Sequence, residues 1–80
     1  MTFTEFKQSF QNDILPNKPE FIREGQALIN YLGDVWVEEY KRLSLCEEYY
    51  DRNDIDCFHS DRYIPNTWEH LKEVWWAYPN

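Results

Sequence analysis

The sequence predicts an all-α fold: a small bundle of about four helices, with an ordered acidic loop between the third and the fourth. Apolar residues recur at helical spacing in four stretches, and each stretch is bounded by capping residues, glycine or proline. The length suits a single helical domain over residues 1–80. With 4 Trp, 6 Tyr and 5 Phe, the chain can build a core from large rings despite its short length.

The first helix is predicted from its two ends. Residues 2–5 have the spacing of a capping box, with Thr2 as the N-cap and Glu5 reaching back to it. Phenylalanines at helical spacing then extend the helix to about Asp13. Pro16 ends it, because a proline disfavours helical geometry at the residue before it.

The second and third helices are predicted to follow each other closely. Pro19 suits the first turn of the second helix, and Gly33 suits its C-cap. Gly25 falls inside this helix, and close packing against a neighbouring helix is the expected reason for it. Asp34 is then placed to cap a third helix, from about residue 35 to residue 46.

The helical pattern breaks over residues 47–64 and resumes in a final helix. The segment 47–64 is polar, with single apolar residues between the polar ones, and it is predicted to be a structured loop with one short helical turn. Loops of this length are usually functional or are held by side-chain bonds. Ile64 begins the last helix, whose apolar face reaches Tyr78, and Pro79 ends it.

The net charge of −7 comes from 15 acidic and 8 basic residues. It argues against direct binding of nucleic acid, which depends on Lys and Arg to displace counterions, and against an anionic membrane surface. No apolar run is long enough to span a membrane and no leader opens the chain, so a cytoplasmic protein is expected. The charge favours a partner protein with a basic surface.

Most of the charge is concentrated between Asp34 and Asp61. This segment holds nine acidic and three basic residues, and so it carries six of the seven net negative charges. A concentrated field steers a basic partner, and carboxylates spread over a helix and a loop can imitate the phosphates of a duplex. A solvated acidic face without a partner is the alternative. The candidate partner-binding residues are Glu38, Glu47, Glu48, Tyr49, Tyr50, Asp51, Asp54 and Asp56.

A polar stripe on the second helix is formed by Arg23, Gln26 and Asn30. At about 100° per residue, the three side chains lie within roughly 60° of one another. The stripe is either an ordinary hydrated surface or a site that holds an anion. The nearest abundant anions are the acids of the 47–64 loop, and an Arg fork matches a carboxylate bidentately. We therefore expect a clasp in which the stripe holds the loop, with Asp61 as a member.

No catalytic or cofactor motif stands out, so neither an enzyme nor a bound cofactor is expected. Cys46, Cys57 and His59 have the spacing Cys-x10-Cys-x-His, whereas zinc sites usually begin with ligands about two to four residues apart. The stretch 51–56 matches a calcium loop in part, but it has Ile55 at the fifth position and no glycine after it. A small metalloprotein that uses the two cysteines and the histidine is kept as an alternative.

Two short patterns and a Trp-containing final helix resemble a group of small, mostly uncharacterised proteins of phage and prophage origin. The patterns are Arg-x-Gly-Gln-Ala-Leu-x-Asn-x-Leu over residues 23–32 and Asp-Cys-Phe-His-x-Asp over residues 56–61. Cys57 and His59 stand where the group often has Pro and Tyr. The resemblance implies a small helical fold and the cytoplasm of an infected or lysogenic host cell. Small acidic phage proteins are often inhibitors of host nucleic-acid-handling or defence proteins, and an inhibitory role is expected here by analogy with that class of protein.

The leading hypothesis is therefore a non-enzymatic binding module that inhibits or modulates a host protein through the surface between Asp34 and Asp61. A homo-oligomeric structural or assembly component without a host target is the first alternative. In that case, surplus aromatic residues such as Trp76 and Tyr78 would be buried against a second copy, as in a homodimer.

Overall fold

The computed structural model describes residues 1–79, which form helices, turns and one long loop. The five α-helices are α1 Phe3–Ser9, α2 Glu24–Val35, α3 Val37–Ser44, α4 Cys46–Tyr49 and α5 Ile64–Val74. Shorter helical turns are the π-helix Phe10–Ile14 and the 3-10 helices Leu15–Asn17, Asp61–Tyr63 and Trp75–Ala77. Within residues 1–79 there is no β-strand, and the predicted all-α class is confirmed. None of the helices in this range has the length and apolarity to cross a membrane.

The capping box at the start of α1 is confirmed. The Thr2 hydroxyl accepts a hydrogen bond from the Glu5 amide at 3.1 Å, and the Glu5 carboxylate accepts one from the Thr2 amide at 2.8 Å. These two bonds satisfy backbone donors that the first helical turn leaves unpaired. The helix does not continue as an α-helix to Asp13, because the hydrogen bonding widens to a π-helix after Ser9.

The predicted start of the second helix at Pro19 is wrong. Pro19 begins a turn instead, in which its carbonyl accepts a hydrogen bond from the Ile22 amide at 3.1 Å. Arg23 is extended, with φ −73° and ψ 160°, and α2 begins at Glu24. The predicted early start is replaced by a turn, after which the first turn of α2 lies close to the 50–60 segment.

The predicted boundary between the second and third helices is also wrong. The α2 helix runs through Gly33 to Val35, so Asp34 lies in its last turn and caps nothing. Gly33 has no positive φ and therefore does not form a left-handed C-cap. The break occurs at Trp36, where φ is −147° and ψ is 81°.

The loop expected over residues 47–64 is shorter than predicted. The third helix ends at Ser44, and α4 follows after a break at Leu45. Residues 50–60 contain no helix or strand, and we call them the loop. The 3-10 turn Asp61–Tyr63 then leads directly into α5.

Aromatic rings from both ends of the chain build the core. Phe6 of α1 stacks on Tyr31 of α2 with ring centroids 5.0 Å apart, and its centroid is 4.9 Å from that of Trp75. Trp36 meets Trp75 edge-on at 5.3 Å. The indole N–H of Trp75 donates to the Met1 carbonyl at 3.0 Å. The rings therefore join α1, α2 and the 3-10 turn that follows α5 around a thin core, as the sequence predicts.

Candidate functional site

Asp61 joins the loop to the first turn of α2. One of its carboxylate oxygens accepts hydrogen bonds from the Arg23 guanidinium at 2.8 Å and from the Gly25 amide at 3.0 Å. Arg23 also donates to the Phe58 carbonyl. A guanidinium has no acceptor, so Arg23 as N-cap residue cannot bind the free amides of its own helix. Asp61 supplies the missing acceptor and places a negative charge at the positive end of α2.

The other two members of the polar stripe do not hold the loop. The Gln26 side chain accepts a hydrogen bond from the Arg23 amide at 3.0 Å, which is a local helix cap. Asn30 is exposed. Among the hydrogen bonds of residues 1–79, none joins either side chain to residues 47–64. The clasp, as the structure has it, consists of Arg23, Gly25 and Asp61.

Gly25 is the member of the clasp that sequence analysis did not identify. A Cβ built at this position would overlap the Cys57 carbonyl oxygen and lie 2.8 Å from the Asp61 carboxylate. The expected reason for this glycine, close packing against a helix, is therefore replaced by close packing against the loop. The absence of a side chain lets the loop backbone approach α2.

Buried side chains of the loop and hydrogen bonds from α5 also fix its position. Ile55 and Cys57 are fully buried, and the Thr67 hydroxyl of α5 donates to the Ile55 carbonyl at 2.6 Å. The Asn66 side chain donates to the Asp54 carbonyl at 3.0 Å. Buried side chains and bonds from two helices therefore fix the position of the loop, even though it has no regular structure of its own.

A buried ionic network lies under α4. Glu39 is 1% exposed, and its carboxylate accepts hydrogen bonds from the Tyr50 hydroxyl at 2.7 Å and the Arg42 guanidinium at 2.9 Å. Nε2 of His70 in α5 lies 2.9 Å from the same carboxylate oxygen that accepts the bond from Tyr50, and His70 is 5% exposed. Burial raises the pKa of Glu39, but hydrogen bonds from His70, Tyr50 and Arg42 outweigh it and hold the pKa below its usual range.

This network resembles a catalytic constellation in composition, but its burial gives it a structural role. A general acid or base must come within hydrogen-bond distance of its substrate, and neither Glu39 nor His70 is accessible. Burial, followed by the hydrogen bond with Glu39, raises the pKa of Tyr50, so its hydroxyl stays protonated as a donor. The network ties the end of α4 to α3 and α5.

The exposed side of α4 combines apolar and acidic side chains. Leu45 is 53% exposed and Tyr49 is 60% exposed, although both are large hydrophobic residues. Glu47, Glu48 and Asp51, in the same short segment, are also exposed. Within residues 1–79, none of these three acids forms an ion pair. We call Leu45, Glu47, Glu48, Tyr49 and Asp51 the α4 surface.

The remaining predicted partner-binding residues lie elsewhere or are already engaged. Glu38 is exposed in the first turn of α3. Tyr50 is half-buried in the Glu39 network. Asp54 pairs with Arg52 at 2.7 Å, and this bond lowers the pKa of Asp54. Asp56 accepts a hydrogen bond from the Phe58 amide at 2.9 Å.

The cysteines and the loop histidine do not form a metal centre among residues 1–79. Cys46 and Cys57 are free and buried, whereas His59 is exposed. Burial raises the pKa of the Cys57 thiol to about 11, which disfavours the thiolate that binds metals. In this part of the chain, no group of three His, Cys, Asp or Glu side chains is placed to hold a metal ion.

Comparison of the chain with protein-family models, with curated proteins and with solved structures gave no match.

Proposed function

We propose that this protein is a non-enzymatic acidic binding module, and that it acts as a phage-encoded inhibitor or modulator of a host nucleic-acid-handling or defence protein. The observation that carries the proposal is the α4 surface, in which Leu45 and Tyr49 are exposed in the same short segment as three exposed acids that form no ion pair within residues 1–79. The phage setting comes from the resemblance of residues 23–32 and 56–61. The site of action would be the host cytoplasm.

The composition of the α4 surface suits an interface with a basic protein. Interfaces combine an apolar or aromatic centre, which supplies binding energy, with a polar rim that sets orientation. Tyr49 and Leu45 match the centre, and Glu47, Glu48 and Asp51 match the rim. The acids would attract a basic surface that ordinarily contacts phosphates, so the module would compete with nucleic acid for it.

The fixed loop supports the same proposal. Asp51 follows α4 with a positive φ of 55°, a backbone conformation that Asp adopts more readily than most residues. The Glu39 network holds Tyr50, the residue before Asp51, and the clasp holds the other end of the loop at Asp61. A surface that is already ordered loses less conformational entropy on binding than a flexible one.

The test is capture of a partner from bacterial host lysate with matched charge variants. The variant Glu47→Lys/Glu48→Lys/Asp51→Asn removes the acids of the α4 surface, with Asn chosen because it tolerates a positive φ. The control Glu20→Lys/Glu73→Lys/Glu69→Gln makes the same change in net charge at exposed positions elsewhere. Captured proteins are quantified by mass spectrometry and their affinities are then measured.

We expect a partner that the wild type and the control retain and that the α4 variant binds at least about tenfold more weakly. Binding should also weaken between about 0.05 and 0.5 M salt, because exposed charges are screened. Equal retention by both variants, or no specific partner at low salt, would refute the proposal.

A homo-oligomeric structural component is the second candidate, and Trp76 favours it. This side chain is 86% exposed beside Met1, which is also exposed. Exposed tryptophans are characteristic of interfaces. Sedimentation velocity across a hundredfold concentration range, with Trp76→Ser as the control, tests this candidate. A monomer at every concentration eliminates it, whereas an oligomer that Trp76→Ser dissolves supports it.

A further inference from the structure

A groove of about 300 Å³ lies between the helical turns that follow α1 and the side of α2. Its apolar lining comes from Ile14, Ile22, Ala27 and Tyr31. The Tyr31 hydroxyl is hydrogen-bonded to the Ser9 hydroxyl at 2.8 Å, which fixes the ring that forms one wall. The volume is at the lower end of the range for ligand sites, and it suits one or two side chains better than a large ligand.

The polar lining of the groove carries more negative than positive charge. Asp13 and Asp34 are exposed, and neither forms an ion pair within residues 1–79. Lys18 is the one cationic side chain among the groove residues. Asn30, one of the two stripe residues that do not contact the loop, also lines the groove, as does Asn17. The groove therefore offers an apolar floor with two carboxylates, two amides and one lysine beside it.

The backbone around the groove is irregular, and an exposed phenylalanine precedes one of the groove residues in the sequence. Asp13 and Ile14 end the π-helix Phe10–Ile14, and π-helical turns occur frequently at functional sites. Phe21 directly precedes Ile22 and is 82% exposed. An exposed phenylalanine in the same segment as a groove residue adds to the apolar area that a partner can cover.

We propose that this groove binds a basic segment of a partner protein. One large apolar side chain of that segment inserts between Ile14, Ala27 and Tyr31, and an adjacent arginine or lysine contacts Asp13 and Asp34. Charge complementarity selects this occupant over an acidic or neutral segment. No groove residue belongs to the α4 surface, so the groove is a second binding surface and does not depend on the function proposed above.

Three capped dipeptides, titrated into the full-length ¹⁵N-labelled protein and followed by NMR, test the proposal. The first combines phenylalanine with arginine, the second phenylalanine with glutamate, and the third glycine with arginine. We expect saturable shifts of the Lys18, Asn30 and Tyr31 amides with the first peptide, at about millimolar affinity for so small a ligand. The other two peptides should bind about tenfold more weakly, since each lacks one of the two recognition elements.

Charge variants separate the groove from the rest of the acidic surface. Asp13→Lys/Asp34→Lys should weaken the phenylalanine–arginine peptide about tenfold, whereas Glu69→Lys/Glu73→Lys should leave it within about twofold. Well-dispersed spectra of both variants establish that they fold. Three results would overturn the proposal: no shifts at about 10 mM peptide, equal binding of the three peptides, or groove shifts that depend on protein concentration without peptide. The last result would assign the groove to a second copy of the chain.

Discussion

Gly25→Ala provides the sharpest test of the contact between the loop and α2. In an ordinary helix this substitution stabilises by about 1 kcal/mol, because alanine has the higher helix propensity. Here the added Cβ would overlap the Cys57 carbonyl oxygen and approach the Asp61 carboxylate to 2.8 Å. The first of these atoms belongs to the backbone, so a rotamer change cannot relieve the overlap.

The size of the effect follows from the two ways in which the loop can respond. If the loop stays, overpacking costs about 1–3 kcal/mol. If it lifts, the hydrogen bond from the Gly25 amide to the Asp61 carboxylate is lost, at a cost of about 1.5–3 kcal/mol. After subtracting the gain in propensity of about 1 kcal/mol, we expect the free energy of unfolding to fall by about 0.5–2 kcal/mol. The melting temperature of a domain of this size should then fall by roughly 2–16 °C.

Gly33→Ala is the matched control, because it makes the same change in the same helix. Neither glycine has a positive φ, so alanine raises helix propensity at both positions. At Gly33 the nearest atom to the new Cβ is in the Tyr40 ring at 3.3 Å, and a ring can shift. We expect this variant to stay within about 1 kcal/mol of the wild type.

Urea unfolding, followed by the fluorescence of the buried Trp36 and Trp75, measures both variants. Gly25→Ala should be the less stable of the two by about 1–3 kcal/mol, because both variants gain helix propensity and only Gly25→Ala creates the overlap. A Gly25→Ala protein as stable as the wild type would show that the loop does not lie this close to α2.

Three further predictions concern other buried or clasped groups. Asp61→Ala should lower the free energy of unfolding by about 1.5–3 kcal/mol, because the hydrogen bond from the Gly25 amide is lost. The exposed ion pair with Arg23 contributes little to this loss. A change below about 0.5 kcal/mol in urea unfolding would contradict the prediction. Because the folded-state pKa of Glu39 is lowered, its stabilisation is present above about pH 4.5 and is lost as the pH falls through the lowered pKa. Glu39→Gln should therefore flatten the loss of stability below about pH 4.5, measured by urea unfolding at a series of pH values. Cys57 should not react with a thiol reagent at about pH 8 until urea unfolds the chain, because at a pKa of about 11 roughly one thiol in a thousand is ionised. Rapid labelling of Cys57 in the native protein would refute its burial.

Sequence reasoning succeeded where the determining residues are close together in the chain. The capping box of Thr2 and Glu5 spans three residues, and its pattern alone predicts the start of α1. It failed at the start of α2, because the residue that caps this helix is Asp61, 38 residues after Arg23. Pro19 carried the local signal of a helix start, and tertiary contacts overrode it.

The burial of Glu39 likewise depends on residues distant in the sequence, so the sequence alone does not predict it. Its spacing to Arg42 suggests a surface ion pair on a helix, and that pair is present. Its burial depends on Tyr50 and His70, which are 11 and 31 residues further along the chain. An isolated His70 in a helix gives no sign of a buried partner. The one available hint was that Glu39 lies on the helix face that Leu43 continues, four residues later.

The cap supplied by Asp61 also makes one amide proton a reporter of loop motion. The Gly25 amide lies in the first turn of α2, where an amide has no partner within its own helix. Its acceptor belongs to the residue that follows the loop, so this proton exchanges with solvent when the loop lifts, even while the rest of α2 stays folded. Hydrogen exchange at this single position would therefore give the free energy of loop opening separately from the free energy of global unfolding.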